Sequence, residues 1–219
     1  IDSTVTNAMT RHRTSRIAAL PILALIVAAC STPPVGMALG EELFETCAPC
    51  HGELGAGNPA IQAPAIAGLP QWYIESQLQS FQAGWRGKHA EDLPGLRMRP
   101  MAVTLNREGD IPSVAEYVAA LPAPFPPSTL HGNAGAGAAQ YEQVCVACHG
   151  PDGRGNELLR SPPIVQLHDW YLVQELQDFK IGARGANPAD TWGTTMRVNS
   201  ILLSDQAMQD LIAYVQTLR

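Results

Sequence analysis

The sequence predicts an all-α protein that consists of two similar helical domains in tandem. Three observations support this prediction. Many residues recur 98 positions further along the chain, which indicates an internal duplication. Apolar residues are spaced for one face of a helix, whereas the alternation of β-branched residues typical of strands is scarce. The chain has 219 residues, which is room for one or two domains, so two copies of about 90 residues fit.

The repeat covers much of both copies. Its clearest members are a tryptophan–tyrosine pair, a glycine, an arginine–glycine pair and a methionine, which recur as Trp72-Tyr73 and Trp170-Tyr171, Gly84 and Gly182, Arg86-Gly87 and Arg184-Gly185, and Met98 and Met196. Near the end of the chain the offset falls to 97, because Tyr117 matches Tyr214. The second copy therefore lacks one residue between positions 203 and 214.

Each copy is expected to contain three helices separated by loops rich in glycine and proline. The first helix covers residues 40–47 and 136–145. The middle helix covers residues 72–81 and 170–179 and ends at Gly84 and Gly182, because glycine commonly terminates helices. The last helix carries apolar residues at positions i, i+3, i+4 and i+7, namely Val114, Tyr117, Val118 and Leu121, then Leu211, Tyr214, Val215 and Leu218.

A five-residue motif follows the first helix in both copies. Cys47-Ala48-Pro49-Cys50-His51 recurs as Cys145-Val146-Ala147-Cys148-His149, and a glycine follows each copy. C-x-x-C-H is the attachment signature of a c-type haem. The two thiols bind the vinyl groups of the porphyrin, and the histidine becomes an axial ligand of the iron. We therefore predict two covalently bound haem c groups.

Two other interpretations of the cysteine pairs are less well supported. A thioredoxin-like redox pair belongs in a βαβ pattern, which this sequence does not have. A zinc site needs two such pairs in one small module, whereas these pairs lie 98 residues apart.

The repeat also indicates a candidate for the second ligand of each iron. Met98 and Met196 each lie 47 residues after the motif histidine, although their neighbours differ. Most methionines in helical proteins only fill the core, but this equal spacing favours a role as ligands. Met101 is a rival in the first copy, and its counterpart is Asn199, which has no thioether. Ligation by histidine and methionine would leave no open site for dioxygen or peroxide, and thioether sulfur favours ferrous iron.

Several further repeated residues are candidates for holding the haem. A ligand histidine needs an acceptor for its other ring nitrogen, and the carbonyl groups of Pro64 and Pro162 are the candidates. Repeated aromatic residues could donate hydrogen bonds to the haem propionates, with core packing as their alternative role; they are Trp72, Tyr73, Trp170 and Tyr171. Arg86 and Arg184 could neutralise the same propionates, with a solvated helix end as the alternative. His89 and His168 have no histidine counterpart, and we expect both at the surface.

The beginning of the chain resembles a bacterial export signal. Three arginines precede a short apolar run over residues 17–29, too short to span a membrane. Val27-Ala28-Ala29-Cys30 resembles a lipobox, which implies lipidation of Cys30; ordinary cleavage near Ala29 or Ala38 is the alternative. We expect residues 1–30 to be the signal, with Met9 as the true start and no assigned role for residues 1–8.

The remaining boundaries follow from composition. Residues 31–35 are expected to be a tether, residues 36–121 the first domain and residues 134–219 the second. Residues 122–133 are rich in proline and are predicted to be a semi-rigid linker. The net charge is −6, which argues against a nucleic-acid partner. It favours a redox partner with a positive docking face, and docking through an apolar patch around an exposed haem edge is the alternative.

Residues 36–219 resemble the tandem two-haem class I cytochromes c of the cytochrome c-four type. The resemblance depends on both C-x-x-C-H-G motifs, on residues 64–68, 81–87 and 98–102, and on their counterparts in the second copy. It implies two helical domains with neighbouring propionate edges. It also implies electron transfer between a quinol-oxidising complex and a terminal oxidase or reductase. Gln166 in place of Gly68, and Val198-Asn199 in place of Pro100-Met101, imply that the second methionine loop differs.

We therefore expect a periplasmic electron carrier, held at the membrane by lipidated Cys30, that passes single electrons between respiratory proteins and has no small-molecule substrate. The alternatives are the cytochrome subunit of a dehydrogenase, oxidase or reductase complex, and a haem peroxidase. A peroxidase needs an open or labile iron, whereas a subunit would carry the same motifs as a carrier.

Overall fold

The computed structural model describes residues 1–2 and 34–219. The predicted signal, Met9, the lipobox with Cys30 and most of the tether lie outside the described residues. Ten α-helices and no strands are found in the part of the chain that is described, so the predicted all-α class is confirmed. The helices are α1 Met37–Phe44, α2 Ala48–His51, α3 Gln71–Ala83, α4 Leu93–Thr104, α5 Asp110–Ala120, α6 Ala134–Gln140, α7 Val146–His149, α8 Asp169–Ile181, α9 Thr191–Ser200 and α10 Asp205–Val215.

Helices α1 to α5 form the first repeat and α6 to α10 form the second. In each repeat the first helix packs against the last, so α1 contacts α5 and α6 contacts α10. Glycine allows both close crossings. A Cβ atom on Gly40 would lie 2.1 Å from Ser113 O, and one on Gly137 would lie 1.9 Å from Asp210 O. Either distance is shorter than atoms can approach, so no larger residue fits without moving the helices apart.

Aromatic rings fix the same crossing from inside the core. Phe44 packs against Tyr117 with ring centroids 5.3 Å apart, and Tyr141 packs against Tyr214 at 5.5 Å.

The two repeats differ in length just before the cysteine motif. Phe44 and its counterpart Tyr141 are 97 positions apart, whereas the first cysteines of the two motifs are 98 positions apart. The second repeat therefore has one additional residue between its aromatic residue and its first cysteine. A π-helical segment, Tyr141–Cys145, accommodates it.

Helices α3 and α8 have the expected position and the expected ends. Gly84 and Gly182 adopt left-handed conformations with φ of 72° and 80°, which glycine permits at little cost. The repeats differ from the prediction between these helices and the last ones. We expected Met98 and Met196 on loops, but they lie on α4 and α9.

Asp92 and Asp190 explain why those helices form. Their carboxylates accept hydrogen bonds from the backbone of Gly95 at 2.7 Å and of Gly193 at 2.9 Å. Each bond satisfies a free N–H group at a helix start.

Residues 122–133 contain no helix. None of the helices in the described ranges combines the length and the apolar character that a membrane span requires.

Residues 34–219 lie within one compact unit, so the two repeats pack directly against each other. Helices α3 and α8 contribute Gln77 and Glu175 to this interface, and the segments that flank them contribute Arg86, Arg184, Gln166 and His168. The interface contains one ion pair, between Arg86 and Glu175, and hydrogen bonds between residues up to 107 positions apart.

Candidate functional site

The two cysteine motifs have the same local structure. In each motif the first cysteine precedes a four-residue helix, and the histidine is the last residue of that helix. Gly52 and Gly150 follow with φ of 80° and 79°, a left-handed conformation that suits glycine. The chain then turns back, so that Gly57 N donates to His51 O at 2.7 Å and Gly155 N donates to His149 O at 2.8 Å.

The hydrogen bonds of both motif histidines fix their tautomers. His51 Nδ1 lies 2.8 Å from Pro64 O, and His149 Nδ1 lies 3.0 Å from Pro162 O. A carbonyl oxygen can only accept, so each Nδ1 carries the proton. The Nε2 lone pair is therefore available to bind a metal ion.

Burial favours the neutral form of the same two rings. His51 and His149 are only 6% and 8% exposed. Burial lowers the pKa of both imidazoles, and the opposing effect of the carbonyl hydrogen bonds is smaller. A neutral imidazole with a free Nε2 is the form that binds iron.

The first cysteine of each motif is not poised for thiolate chemistry. Burial, followed by the neighbouring cysteine, raises the pKa of Cys47 and of Cys145 to about 11. All four motif cysteines are free of disulfides. Redox-active and zinc-binding cysteines instead act as thiolates and usually have lowered pKa values. The redox and zinc interpretations therefore remain the weaker ones.

A cavity in the second repeat brings most of its predicted site residues together. Cys145, Cys148 and His149 line it, and Met196 from α9 lines it as well. Pro162, Tyr171 and Arg184 contribute further walls. The remaining lining side chains of this cavity are mainly apolar and include Leu172, Leu176, Phe179, Leu211, Ile212 and Val215. A large apolar group with polar edges fits such a site.

In the first repeat the predicted residues occupy equivalent positions. Met98 lies on α4 and is half-buried against the core. The rival Met101 lies on the same helix but is 38% exposed. Of these two methionines, Met98 is the one that packs against the core.

The aromatic residues at the start of the middle helices are divided between the repeats. Trp72 and Tyr73 of the first repeat line the cavity of the second, next to Tyr171. Trp170 does not line the cavity and packs against His168, with ring centroids 5.3 Å apart. The repeat register alone did not reveal that residues of the first repeat reach the second cavity.

A buried cluster of four side chains joins the repeats. Glu175 accepts hydrogen bonds from Arg86 at 2.6 Å and from Arg184, and Gln77 accepts from the same two arginines at 2.7 and 2.9 Å. Although burial opposes ionisation, Glu175 raises the pKa of both arginines, and they lower the pKa of Glu175. The cluster therefore holds two positive charges and one negative charge.

The predicted arginines thus already have protein partners, but each retains an unused donor. The Nε atoms of Arg86 and Arg184 are buried and have no acceptor among the described residues, and the same holds for Trp170 Nε1. Arg99 and Arg197, which repeat at the same offset of 98, also have buried Nε atoms without an acceptor there. These donors, together with the excess positive charge, fit an anionic group such as a haem propionate.

One expectation from the sequence is wrong, and two residues of the cluster were not predicted. His168 is not at the surface: it is 7% exposed and lies in the interface between the repeats. We discounted it because Pro70 occupies its equivalent position. Gln77 and Glu175 were not predicted for the same reason, because they occupy equivalent positions of the repeat but differ in residue type. Their only signal was their position one turn from the repeated aromatic pairs.

The fold and the two sites define a class of protein: an all-helical protein that binds two haems through duplicated C-x-x-C-H motifs. The chain belongs to the cytochrome c family, whose sequence model matches residues 37–122 and again 134–219. The two matched segments are related by 97 positions, as are the helix crossings of the two repeats.

Known relatives extend over most of the chain. It is 30% identical to the thiosulfate dehydrogenase electron acceptor of Stutzerimonas stutzeri strain A1501, across 77% of this chain and 76% of that protein. It is 29% identical to cytochrome c4 of Stutzerimonas stutzeri, across 82% and 87%. It also resembles the crystal structure of reduced recombinant cytochrome c4 from Pseudomonas stutzeri, with a TM-score of 0.63 and 28% identity, across 84% of this chain and 98% of that chain.

The chain is therefore an electron-carrying cytochrome with two covalently bound haem c groups and redox proteins as its partners. It resembles a tandem two-haem cytochrome c of the c-four type, as the motifs predicted.

Proposed function

We propose that this protein carries single electrons between respiratory proteins in the periplasm, with each iron ligated by one histidine and one methionine. The ligands are His51 and Met98 in residues 36–121, and His149 and Met196 in residues 134–219. When bound, each haem supplies an iron that accepts and releases one electron. The observation that carries the proposal is the paired geometry of His51 with Pro64 and His149 with Pro162.

The protein's own residues keep the iron sites closed and anchored. The cysteines tie each haem to the chain, and the Pro64 and Pro162 carbonyls orient the two imidazoles. Met196 lines the second cavity together with His149, which supports the proposal that its soft sulfur is the second iron ligand. Such closed ligation favours outer-sphere electron transfer over peroxidase chemistry.

The interface supplies the polar contacts for the propionates. Arg86 and Arg184 each present a buried Nε, and Trp170 presents its indole N–H. In this assignment Tyr73 and Tyr171 support the same edge through their hydroxyl groups, whereas Trp72 supplies apolar surface. The two haems would then meet edge to edge at the joined repeats, which suits transfer between them.

Redox titration with optical spectra and mass spectrometry tests this function. Two haem adducts, two one-electron steps and the far-red absorption of a methionine–iron bond are expected. Fewer than two adducts would contradict the proposal. Rapid binding of cyanide by the oxidised protein would instead favour the peroxidase alternative, because it requires an open or labile iron.

A second candidate is a role as electron acceptor or subunit of a dehydrogenase complex. It is favoured by the relative from Stutzerimonas stutzeri, which is a thiosulfate dehydrogenase electron acceptor. Purification of the tagged protein under mild conditions separates the two candidates. A stable, stoichiometric complex with a dehydrogenase favours the subunit, and an isolated chain favours the carrier.

Export and membrane attachment complete the proposal. Residues 1–30 act as a signal that ends at Cys30, and the lipid on that cysteine holds the carrier at the membrane through residues 31–35. The support is the basic, apolar and small-residue pattern of the sequence. A tether would keep the carrier close to membrane-bound donors and acceptors.

A further inference from the structure

One peptide group of the first repeat lies between two imidazoles. The carbonyl of Pro64 accepts a hydrogen bond from His51 Nδ1 at 2.8 Å. The N–H of Ala65, on the other side of the same planar amide, donates to His168 Nδ1 at 3.3 Å. His51 and His168 belong to different repeats, so a hydrogen-bonded chain crosses the interface.

The second repeat has no such chain. Pro162 O accepts from His149 Nδ1 at 3.0 Å, but the next residue is Pro163, which has no N–H to donate. The position equivalent to His168 is Pro70, whose side chain has no acceptor. The two ligand histidines thus make the same first hydrogen bond but differ in the second.

The surroundings of His168 hold its ring in the accepting state. It is 7% exposed and packs beside Trp170. A Cβ atom on Gly57 would lie 2.8 Å from His168 Cε1, so the glycine makes room for the imidazole. Because Ala65 N–H donates to Nδ1, that nitrogen is unprotonated. Burial lowers the pKa of His168, Arg219 lowers it too, and Asp169 opposes them.

We propose that His168 of the second repeat tunes the redox potential of the haem in the first repeat, through the Pro64–Ala65 peptide and His51. The inference depends on the proposed role of His51 as an iron ligand. Donation from an amide N–H polarises the amide and makes its carbonyl a stronger acceptor. A stronger bond at Nδ1 makes His51 a better electron donor to iron, which favours the ferric state. His168 is a positioning residue, since it acts only through other groups.

We call the chain of hydrogen bonds from His168 through the Pro64–Ala65 peptide to His51 the relay. The relay makes the potential of the first haem sensitive to the packing of the two repeats. Separation of the repeats would remove the acceptor from Ala65 and raise the potential of the first haem. The second haem has no equivalent link, because a proline imide stands in that place. Two sites with the same proposed ligands thus acquire different potentials from a difference of two residues, His168 for Pro70 and Ala65 for Pro163.

The test is a redox titration of the haem-loaded protein with His168→Phe, which retains a ring but has no acceptor. At a fixed ambient potential we expect the ratio of oxidised to reduced first haem to fall about two- to fivefold. Because a tenfold change in this ratio corresponds to 59 mV, the midpoint potential of the first haem should rise by about 20–40 mV. The second haem should not move. Met98→His identifies the step of the first haem, because that step alone should shift with it.

Three further variants separate the relay from a loosened interface. His168→Asn retains an acceptor near Nδ1 and should keep the potential close to the original. His168→Pro reproduces the residue of the first repeat at a φ of −61° and should match His168→Phe. Gln166→Met removes the neighbouring bond between repeats, from Gln166 Nε2 to Ala67 O at 3.3 Å, and should leave the first haem unchanged.

The amide signal of Ala65 in nuclear magnetic resonance gives an independent readout, because loss of its acceptor shifts it upfield. An unmoved first haem in His168→Phe, equal shifts of both haems, or the same shift in Gln166→Met would overturn the relay. If both haems and the methionine–iron absorption persist in these cases, only the relay fails. Loss of a haem or of that absorption in the unmodified protein would instead contradict the proposed ligands.

Discussion

Arg86 Nη2 of the first repeat lies 2.6 Å from Glu175 Oε1 of the second, and the two side chains are only 8% and 10% exposed. Arg184 pairs with the other oxygen of the same carboxylate. The two arginines occupy equivalent positions of the repeat, and so do Glu175 and Gln77. Because Gln77 is neutral, the cluster contains a single negative charge. Such a cluster specifies how the repeats dock, because any other arrangement leaves buried charges without partners.

Glu175→Gln should destabilise the haem-loaded protein by about 3 kcal/mol, because it removes the buried carboxylate that both guanidinium groups share across the interface. Thermal or denaturant unfolding measures this loss. Asp152→Asn is a matched control, since it removes a pair with Arg154 that is 67% and 55% exposed. The control should change stability by less than about 1 kcal/mol. Equal effects of both variants would show that burial of the cluster contributes nothing.

Asp178 gives the stability a specific dependence on pH. The residue is 2% exposed, and burial, followed by Glu175, raises the pKa of its carboxyl group from 3.8 to about 7. Asp92 adds to this rise, whereas Gln174 and Arg86 oppose it. The folded protein retains the proton that the unfolded chain releases near pH 3.8. The stability from this group is therefore complete below that pH and is lost as the pH rises through about 7.

Asp178→Asn cannot ionise and can still accept from Gln174, so it should be the more stable protein at pH 8, by about 2 kcal/mol. The difference from the unmodified protein should grow between about pH 4 and 7 and then remain constant. Melting temperatures across this range measure it. Glu108→Gln, at an exposed carboxylate, should show no such growth. A difference that did not change with pH would mean that Asp178 is ionised in the folded protein.

Features with local causes could be predicted from the sequence. Helices α5 and α10 follow from their apolar stripes, and the ends of α3 and α8 follow from Gly84 and Gly182. The duplicated motifs predicted the two haem sites. Helices α4 and α9 were missed because proline, glycine and threonine are poor helix formers. The sequence signal for their starts is an aspartate three residues before a glycine, namely Asp92 before Gly95 and Asp190 before Gly193.

Contacts between the repeats could not be predicted, because they do not follow the repeat. A comparison of equivalent positions discards residues without a counterpart, and His168 and Glu175 are such residues. Their roles depend on which groups of the other repeat come near, and that depends on docking. The additional residue in Tyr141–Cys145 was hidden for a similar reason, since a π-helical segment absorbs it without changing the motif.

Cys30→Ala should release the protein from the membrane fraction while both haems remain, because the proposed lipid is attached to that thiol alone. Fractionation followed by mass spectrometry measures both properties. Ser31→Ala is the control and should leave the protein at the membrane. If Cys30→Ala were still to partition with the membrane, the lipid anchor would be ruled out, and an interaction with a membrane-bound partner would account for the localisation.

Met98→His should lower the midpoint potential of one haem, and Met196→His that of the other, because imidazole does not favour ferrous iron as thioether sulfur does. A shift of about 100 mV or more is expected, which is a fraction of the ~0.8 V that axial ligands and surroundings can span. The methionine–iron absorption should halve in each variant. Met101→Leu, at a side chain that is 38% exposed, should leave both potentials unchanged. Equal movement of both potentials in either histidine variant would contradict independent ligation by Met98 and Met196.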